Sequence, residues 1–250
     1  MTEIMSATEM GRKMFASASV EIPKAKVISL EATKTMLGTK NAEFIKSNFS
    51  KLVEDVQNEA YSLYRQHQEA ACSKVLEAFL SRNDPSREIG EYEFKTLNSF
   101  FLSLSQSRKT RAGSTFEDIV TSIFEILEYP FTAQPDLNES KPDYVIPSLE
   151  YYKKFAADCI IFTCKRTLRE RWRQIVTEGT SGKAFFLATI DEKLSEAELS
   201  RMKDRSVYVV VPERIKKEFY PANPNVIPFE EFLLDHLDAA LPRWKRAGAY

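Results

Sequence analysis

The stretch Phe162-Thr-Cys-Lys-Arg-Thr-Leu-Arg-Glu-Arg-Trp-Arg-Gln-Ile175 constrains the fold more than any other, because its periodicity changes midway. Residues Ala156 to Thr163 are mostly apolar or β-branched, which predicts a short buried strand ending near Lys165. From Leu168 onward, Leu168, Trp172, Ile175 and Val176 recur at three- and four-residue spacing. That spacing predicts a helix with one stripe on a core and its arginines pointing elsewhere. Two more apolar runs, Ala184 to Ile190 and Val207 to Val211, flank a helical segment from Ser195 to Lys203. This is the strand, helix, strand pattern of a parallel pair inside a mixed sheet.

The same stretch is strongly basic. Lys165, Arg166, Arg169, Arg171 and Arg173 surround the single acid Glu170, a net charge of +4 in nine positions. A solvated helix face laced with Arg–Glu pairs would carry the same residues. The neighbouring acids point further. Asp143 heads another short apolar run, Lys-Pro-Asp-Tyr-Val-Ile, 22 residues before Lys165, and Glu178 lies 13 residues after it on the predicted helix. Two carboxylates and a lysine from adjacent elements are what a magnesium-dependent phosphodiesterase needs. Carboxylate oxygens hold the hard cation, and the lysine orients the attacking water and stabilises charge developing on the phosphate.

Arg169, Glu170 and Arg171 have the chemistry of a G·C reader. An arginine fork matches the O6 and N7 acceptors of guanine, and a glutamate accepts from the N4 donor of cytosine, both in the major groove. Three consecutive helical residues fan out too widely to face one way, so the reading requires them at a helix start, just past the strand end. Glu178, seven residues beyond Arg171, then faces the same side about 10 Å further along the axis. One helix would join base reading to metal binding.

With these residues in view, the chain resembles type II restriction endonucleases of the PD-(D/E)XK superfamily, in the branch containing EcoRII, PspGI and SsoII. The resemblance rests on four blocks. They are Ser107-Arg-Lys-Thr-Arg-Ala-Gly with Phe116-Glu117, Lys141-Pro-Asp143-Tyr-Val-Ile-Pro-Ser148, Cys164-Lys-Arg-Thr-Leu-Arg-Glu-Arg-Trp-Arg-Gln174 with Glu178, and Val209-Val-Val-Pro212. The superfamily usually places an acid two residues before the lysine, where this chain has Thr163. Threonine cannot ligate as a carboxylate does, and the branch uses a migrated glutamate, which here is Glu178.

The resemblance implies a restriction-endonuclease-like α/β (α+β) core, a central mixed β-sheet flanked by helices, with a helical N-terminal part. It implies Mg2+ as cofactor and double-stranded DNA as partner, cut by a homodimer at a CCGG-like or CC(N/W)GG palindrome. A cognate DNA methyltransferase belongs to such a system. Asp143, Lys165, Glu178 and Glu117 are the expected catalytic residues, with Asp143 and Glu178 on the metal. Arg169, Glu170 and Arg171 are expected on bases, and Arg108, Lys109, Arg111 and Arg173 on the DNA backbone. Some branch members flip a central base pair into a pocket made by an aromatic and an arginine. Here the Lys40 to Phe44 region, or another N-terminal aromatic, is the place to look.

The remaining chain supplies context. Residues 1 to about 37 read as a loose arm or a short helix, and Asn41 to about Leu80 as one long helix or two, whose aromatics belong to a core. The turn-rich Ser81-Arg-Asn-Asp-Pro-Ser-Arg before Gly90 predicts a boundary between a helical region, 1–88, serving DNA contact or dimerisation, and a nuclease core, 89–250. Two helices are expected next, Phe94 to Leu104 and Phe116 to Leu127. Ser114 caps the second and Glu117 lies in its first turn, where either the dipole or a place near the metal accounts for the acid. Phe131 to Gln134 reads as a short strand, and Phe229 to Leu241 as an amphipathic helix. The tail Trp244-Lys-Arg246 fits a dimer contact, a DNA contact or plain solvation.

With 35 basic against 36 acidic side chains, DNA affinity must come from local clusters. Three cysteines and two histidines give neither a disulfide framework nor a metal-ligand spacing. No apolar run is long enough to span a bilayer, and the start Met-Thr-Glu-Ile lacks a leader pattern, so a cytoplasmic protein is expected. Two other readings stay open. A repair or junction nuclease of the same superfamily would keep Asp143, Lys165 and Glu178 without needing Arg-Glu-Arg, and a DNA-binding regulator would use the basic helix alone.

Overall fold

A computed structural model describes residues 6–82, 90–137, 141–168 and 185–250 and, within them, every side chain except those at 82, 92, 109 and 112–114. The chain opens with helices α1 (Ala7–Ser17), α2 (Ala25–Leu37), α3 (Ala42–Ser47), α4 (Phe49–Arg82) and α5 (Glu91–Ile126). After strands β1 (Thr132–Ala133) and β2 (Tyr144–Ile146) come helix α6 (Leu149–Phe155) and a 3-10 turn, Ala156–Asp158. Strands β3 (Ile160–Cys164) and β4 (Phe185–Ala188) follow, then α7 (Glu196–Lys203), β5 (Val207–Val211), α8 (Glu213–Phe219) and β6 (Val226–Pro228). The last helix, α9, starts as Phe229–Glu231, widens to a π-helical stretch over Phe232–Asp238 and finishes as Ala239–Arg246.

The strands form one six-stranded sheet in chain order, antiparallel from β1 to β3 and parallel from β3 to β6. This is the expected mixed sheet with flanking helices and a helical N-terminal part. Side chains alternate between two cores. Phe162, Phe186, Val210 and Ile227 face one built with α2, α4, α5 and α9, while Ile161, Leu187, Val209 and Val226 face one built with α7 and α8. Burial on both faces is why these strands read as unbroken apolar runs. Phe162 lies 5.5 Å from Phe124 of α5 and 4.9 Å from Phe232 of α9, ring centre to ring centre, so the strand carrying the lysine is clamped by two helices.

One expectation narrows and two need correction. Of the two alternatives for the N-terminal residues, a loose arm or a short helix, the helical one holds, as two helices packed on the rest of the chain. A capping box between Ser6 and Glu9 starts α1, and Ile28, Ala32 and Leu37 of α2 enter the main core. Both α1 and α2 pack against α5.

The two helices expected over 94–127 are a single helix of 36 residues, about 54 Å long. The join contains no proline, and its polar side chains bond neighbouring helices. Arg108 Nε donates to Gln68 Oε1 at 3.0 Å, Thr8 Oγ1 to Gln106 Oε1 at 3.4 Å, and Arg111 to the carbonyl oxygens of Ile22 and Pro23. Position 114 therefore lies inside a continuous helix and not at the start of one. Glu117 sits deep in a helix, where the terminal dipole no longer accounts for it.

The second correction concerns the C-terminal tail. Trp244 is fully buried in the main core, and its Nε1 donates to the Asp158 carbonyl at 2.9 Å. Arg243 pairs with the Asp158 carboxylate at 2.6 Å, leaving Lys245 and Arg246 exposed. Trp244→Ala should cost about 3–5 kcal/mol of stability, whereas Lys245→Ala should stay within about 0.5 kcal/mol of the parent, both read by urea unfolding.

Candidate active site

Strand register assembles the site. Tyr144 pairs with Phe162 across the antiparallel β2–β3 ladder, which sets Asp143 opposite Thr163 and brings Lys165 alongside. The Asp143 carboxylate is buried, at 4% exposure, and its Oδ2 accepts hydrogen bonds from Thr163 Oγ1 (2.7 Å), the Cys164 backbone N–H (2.7 Å) and Lys165 Nζ (3.0 Å). A buried carboxylate requires such partners, and here they also fix its orientation. Thr163 thus fills the place of an acid with a donor that holds Asp143. The backbone of Lys165 is pinned in turn, its N–H donating to the Ala188 carbonyl of β4 at 2.9 Å.

Glu117 reaches the same place from α5. Tyr144 anchors that helix to the sheet, its hydroxyl bonding Thr121 Oγ1 and donating to the Glu117 carbonyl at 3.3 Å. The Glu117 carboxylate accepts from Gln134 Nε2 at 2.8 Å, and the same nitrogen lies 3.3 Å from Asp143 Oδ1. Burial first, and the like charge of Asp143 second, push the Glu117 carboxyl above its ordinary value, while Lys165 and Gln134 pull it back. Burial likewise pushes the Cys164 thiol well up, so it is an inert neighbour.

Two crowded carboxylates opposed by one lysine fit a hard cation, which takes oxygen ligands and relieves the repulsion raising Glu117. Asp143 and Glu117 would hold it. Among the described residues no set of three or more acidic, histidine or cysteine side chains forms a closed cage. Glu178, the further acid expected, lies outside the described residues, as do Arg169, Glu170, Arg171 and Arg173. Asp158, another acid of the same stretch, precedes β3 at the opposite end of the strand and is engaged by Arg243 and Tyr151.

Residues 80–233 match the family described as EcoRII C terminal, more than half of the chain. The chain belongs to the EcoRII C-terminal family. Among curated relatives, the type II restriction enzyme SsoII of Shigella sonnei is 24% identical over 214 residues, 78% of this chain and 70% of its own length. The type II restriction enzyme EcoRII of Escherichia coli is 30% identical over 122 residues, 47% of this chain but only 30% of its own length. Metal-depleted Ecl18kI in complex with uncleaved DNA superposes with a TM-score of 0.79 at 22% identity, over 97% of this chain and 86% of that one. The PspGI–substrate DNA complex gives 0.64 at 22% identity, over 89% and 94%. The restriction-endonuclease fold expected from the sequence is therefore the observed one.

In this EcoRII-family chain the other candidate residues are placed as follows. Arg108 bridges α5 to α4 through Gln68. Arg111 lies over the Tyr64 ring at 5.2 Å, besides its bonds to Ile22 and Pro23, so its guanidinium ties the α1–α2 linker and α4 to α5. The side chain of Lys109 lies outside the described set. Lys40 Nζ sits 5.0 Å from the centre of the exposed Phe44 ring. A groove of about 440 Å³ between α4, α5 and the end of β3 is lined by Gln57, Asn58, Tyr61, Arg108 and Arg166, with Tyr61 58% exposed.

Gln134 is the site residue that sequence reading missed. It follows the short strand β1, and no residue type marks it. Setting the Phe131 to Gln134 run in antiparallel register against Asp143 to Ile146 would have placed it beside Asp143.

Proposed function

We propose that this chain is a type II restriction endonuclease that cuts double-stranded DNA at a CCGG-like or CC(N/W)GG palindrome, acting in the cytoplasm as a Mg2+-dependent homodimer. The observation that carries the reading is the convergence of Asp143, Lys165 and Glu117 at the end of β3, on a chain of this family. Asp143 and Glu117 would hold the cation, with Glu178 as the further acid. When bound, the cation supplies Lewis-acid charge at the scissile phosphate. Lys165, partly exposed and held at 3.0 Å from Asp143, orients water for in-line attack and offers its N–H groups to the phosphate oxygens as charge builds there.

Base reading falls to Arg169, Glu170 and Arg171, and phosphate contacts to Arg108, Lys109, Arg111 and Arg173. Arg108 and Arg111 already brace the helical layer, so substituting them would disturb both packing and DNA binding. The region 1–88 adds DNA contact and dimer surface to the core at 89–250. The groove beside Tyr61 is the better candidate than Lys40 and Phe44 for receiving an unstacked base, because it joins an exposed aromatic to Arg108 and Arg166 near the end of β3. A palindrome requires a two-fold assembly in which each chain cuts one strand. A cognate DNA methyltransferase protects the same site in the host.

Incubation of supercoiled plasmid with the protein and Mg2+ tests this reading. Discrete linear fragments are expected with Mg2+ and none with chelator, and sedimentation with the cleaved-site duplex should give two chains per site. Plasmid left supercoiled would reduce the protein to a DNA-binding regulator. One chain bound per site, or cutting governed by DNA shape, would indicate a repair nuclease.

A further inference from the structure

We propose that Gln134 is a positioning residue of the cleavage site, setting the separation of the Glu117 and Asp143 carboxylates so that both can serve one divalent cation. The inference rests on the metal-dependent reading above. Glu117 comes from α5 and Asp143 from the head of β2, and the two like-charged groups meet where Glu117 is partly buried and Asp143 buried. Without a donor between them, two such groups splay apart. Gln134 provides that donor, its Nε2 lying 2.8 Å from Glu117 Oε1 and 3.3 Å from Asp143 Oδ1. A primary amide nitrogen carries two N–H groups, one for each carboxylate.

The backbone supports the same role. Gln134 has φ of +47°, a left-handed conformation uncommon for a residue with a long side chain and costing on the order of 1 kcal/mol. The turn is held because the Gln134 N–H donates to the Asp143 carbonyl at 2.7 Å, which aims the side chain across the mouth of the hairpin at Glu117. Asparagine or glycine would suit this backbone better, and neither would span both carboxylates.

Those two substitutions make the test. Gln134→Gly relieves the left-handed strain and deletes the amide, and Gln134→Asn keeps an amide one methylene short. Both should unfold at or above the wild-type temperature. Mn2+ binding to the DNA-free protein, read by electron paramagnetic resonance of the unbound ion, should weaken about tenfold or more in each, as for loss of a residue that orients metal ligands. Wild-type affinity or tighter binding in the stable variants overturns the proposal. A lowered unfolding temperature with unchanged affinity also overturns it, leaving Gln134 a purely structural role. A wild-type chain that takes up no Mn2+ contradicts the metal-dependent reading itself, and this proposal with it.

Discussion

Lys165→Ala is expected to lower DNA cleavage about 10³-fold or more while leaving binding to the recognition duplex within a few-fold of wild type. Lys165 is the cationic donor beside Asp143, 3.0 Å from its carboxylate, whereas the other described side chains bonded to that carboxylate, Thr163 and Gln134, are neutral. Asp143→Asn should be as severe. It keeps the shape of a buried side chain but removes the charge that pairs with Lys165 and would bind the cation, and an amide cannot accept from Thr163, Cys164 and Lys165 together. Glu178→Ala should match them. If Glu178→Ala instead cuts near the wild-type rate, Glu117 already completes the ligand set, because it shares Gln134 with Asp143 while Asp158 is held at the far end of β3. Single-turnover cleavage rates beside equilibrium binding in chelator separate these outcomes.

Arg171→Ala carries the second large effect, on specificity. A bidentate contact to guanine discriminates by about 1–3 kcal/mol per base pair, and a two-fold complex makes it twice. The gap between cognate and noncognate affinity should therefore collapse at fixed salt, with nonspecific affinity little changed. Arg169→Ala and Glu170→Ala should narrow the same gap. Equal weakening on every sequence, with a shallower salt dependence, would instead place Arg171 on phosphate.

β2 to β5 were legible because they are buried on both faces and so announce themselves as apolar runs, whereas β6 carries no such signal and was not read. Asp143 and Lys165 were legible with them, as residues at the ends of paired strands. The unbroken α5 was not. Its polar middle looks like a connection, yet Arg108 and Arg111 bond to α4 and the α1–α2 linker, contacts no local pattern encodes. The same reading put Glu117 in a first turn, with a role near a metal as the alternative, whereas the structure sets it mid-helix and joined to Asp143 through Gln134.

Trp244 was hidden by its basic neighbours, since an exposed pair at Lys245 and Arg246 gives the whole tail a surface signature. Gln134 was hidden for a different reason. Its function depends on a left-handed backbone and a two-residue strand, and glutamine is not the residue type that signals either.

Mapping both ends of Mg2+-cut DNA by run-off sequencing tests the central claim most directly. The account predicts two nicks placed symmetrically about one G·C-rich palindrome, with 5′ overhangs at every site cut. Breaks that share no sequence, or that fall on one strand only, would contradict it.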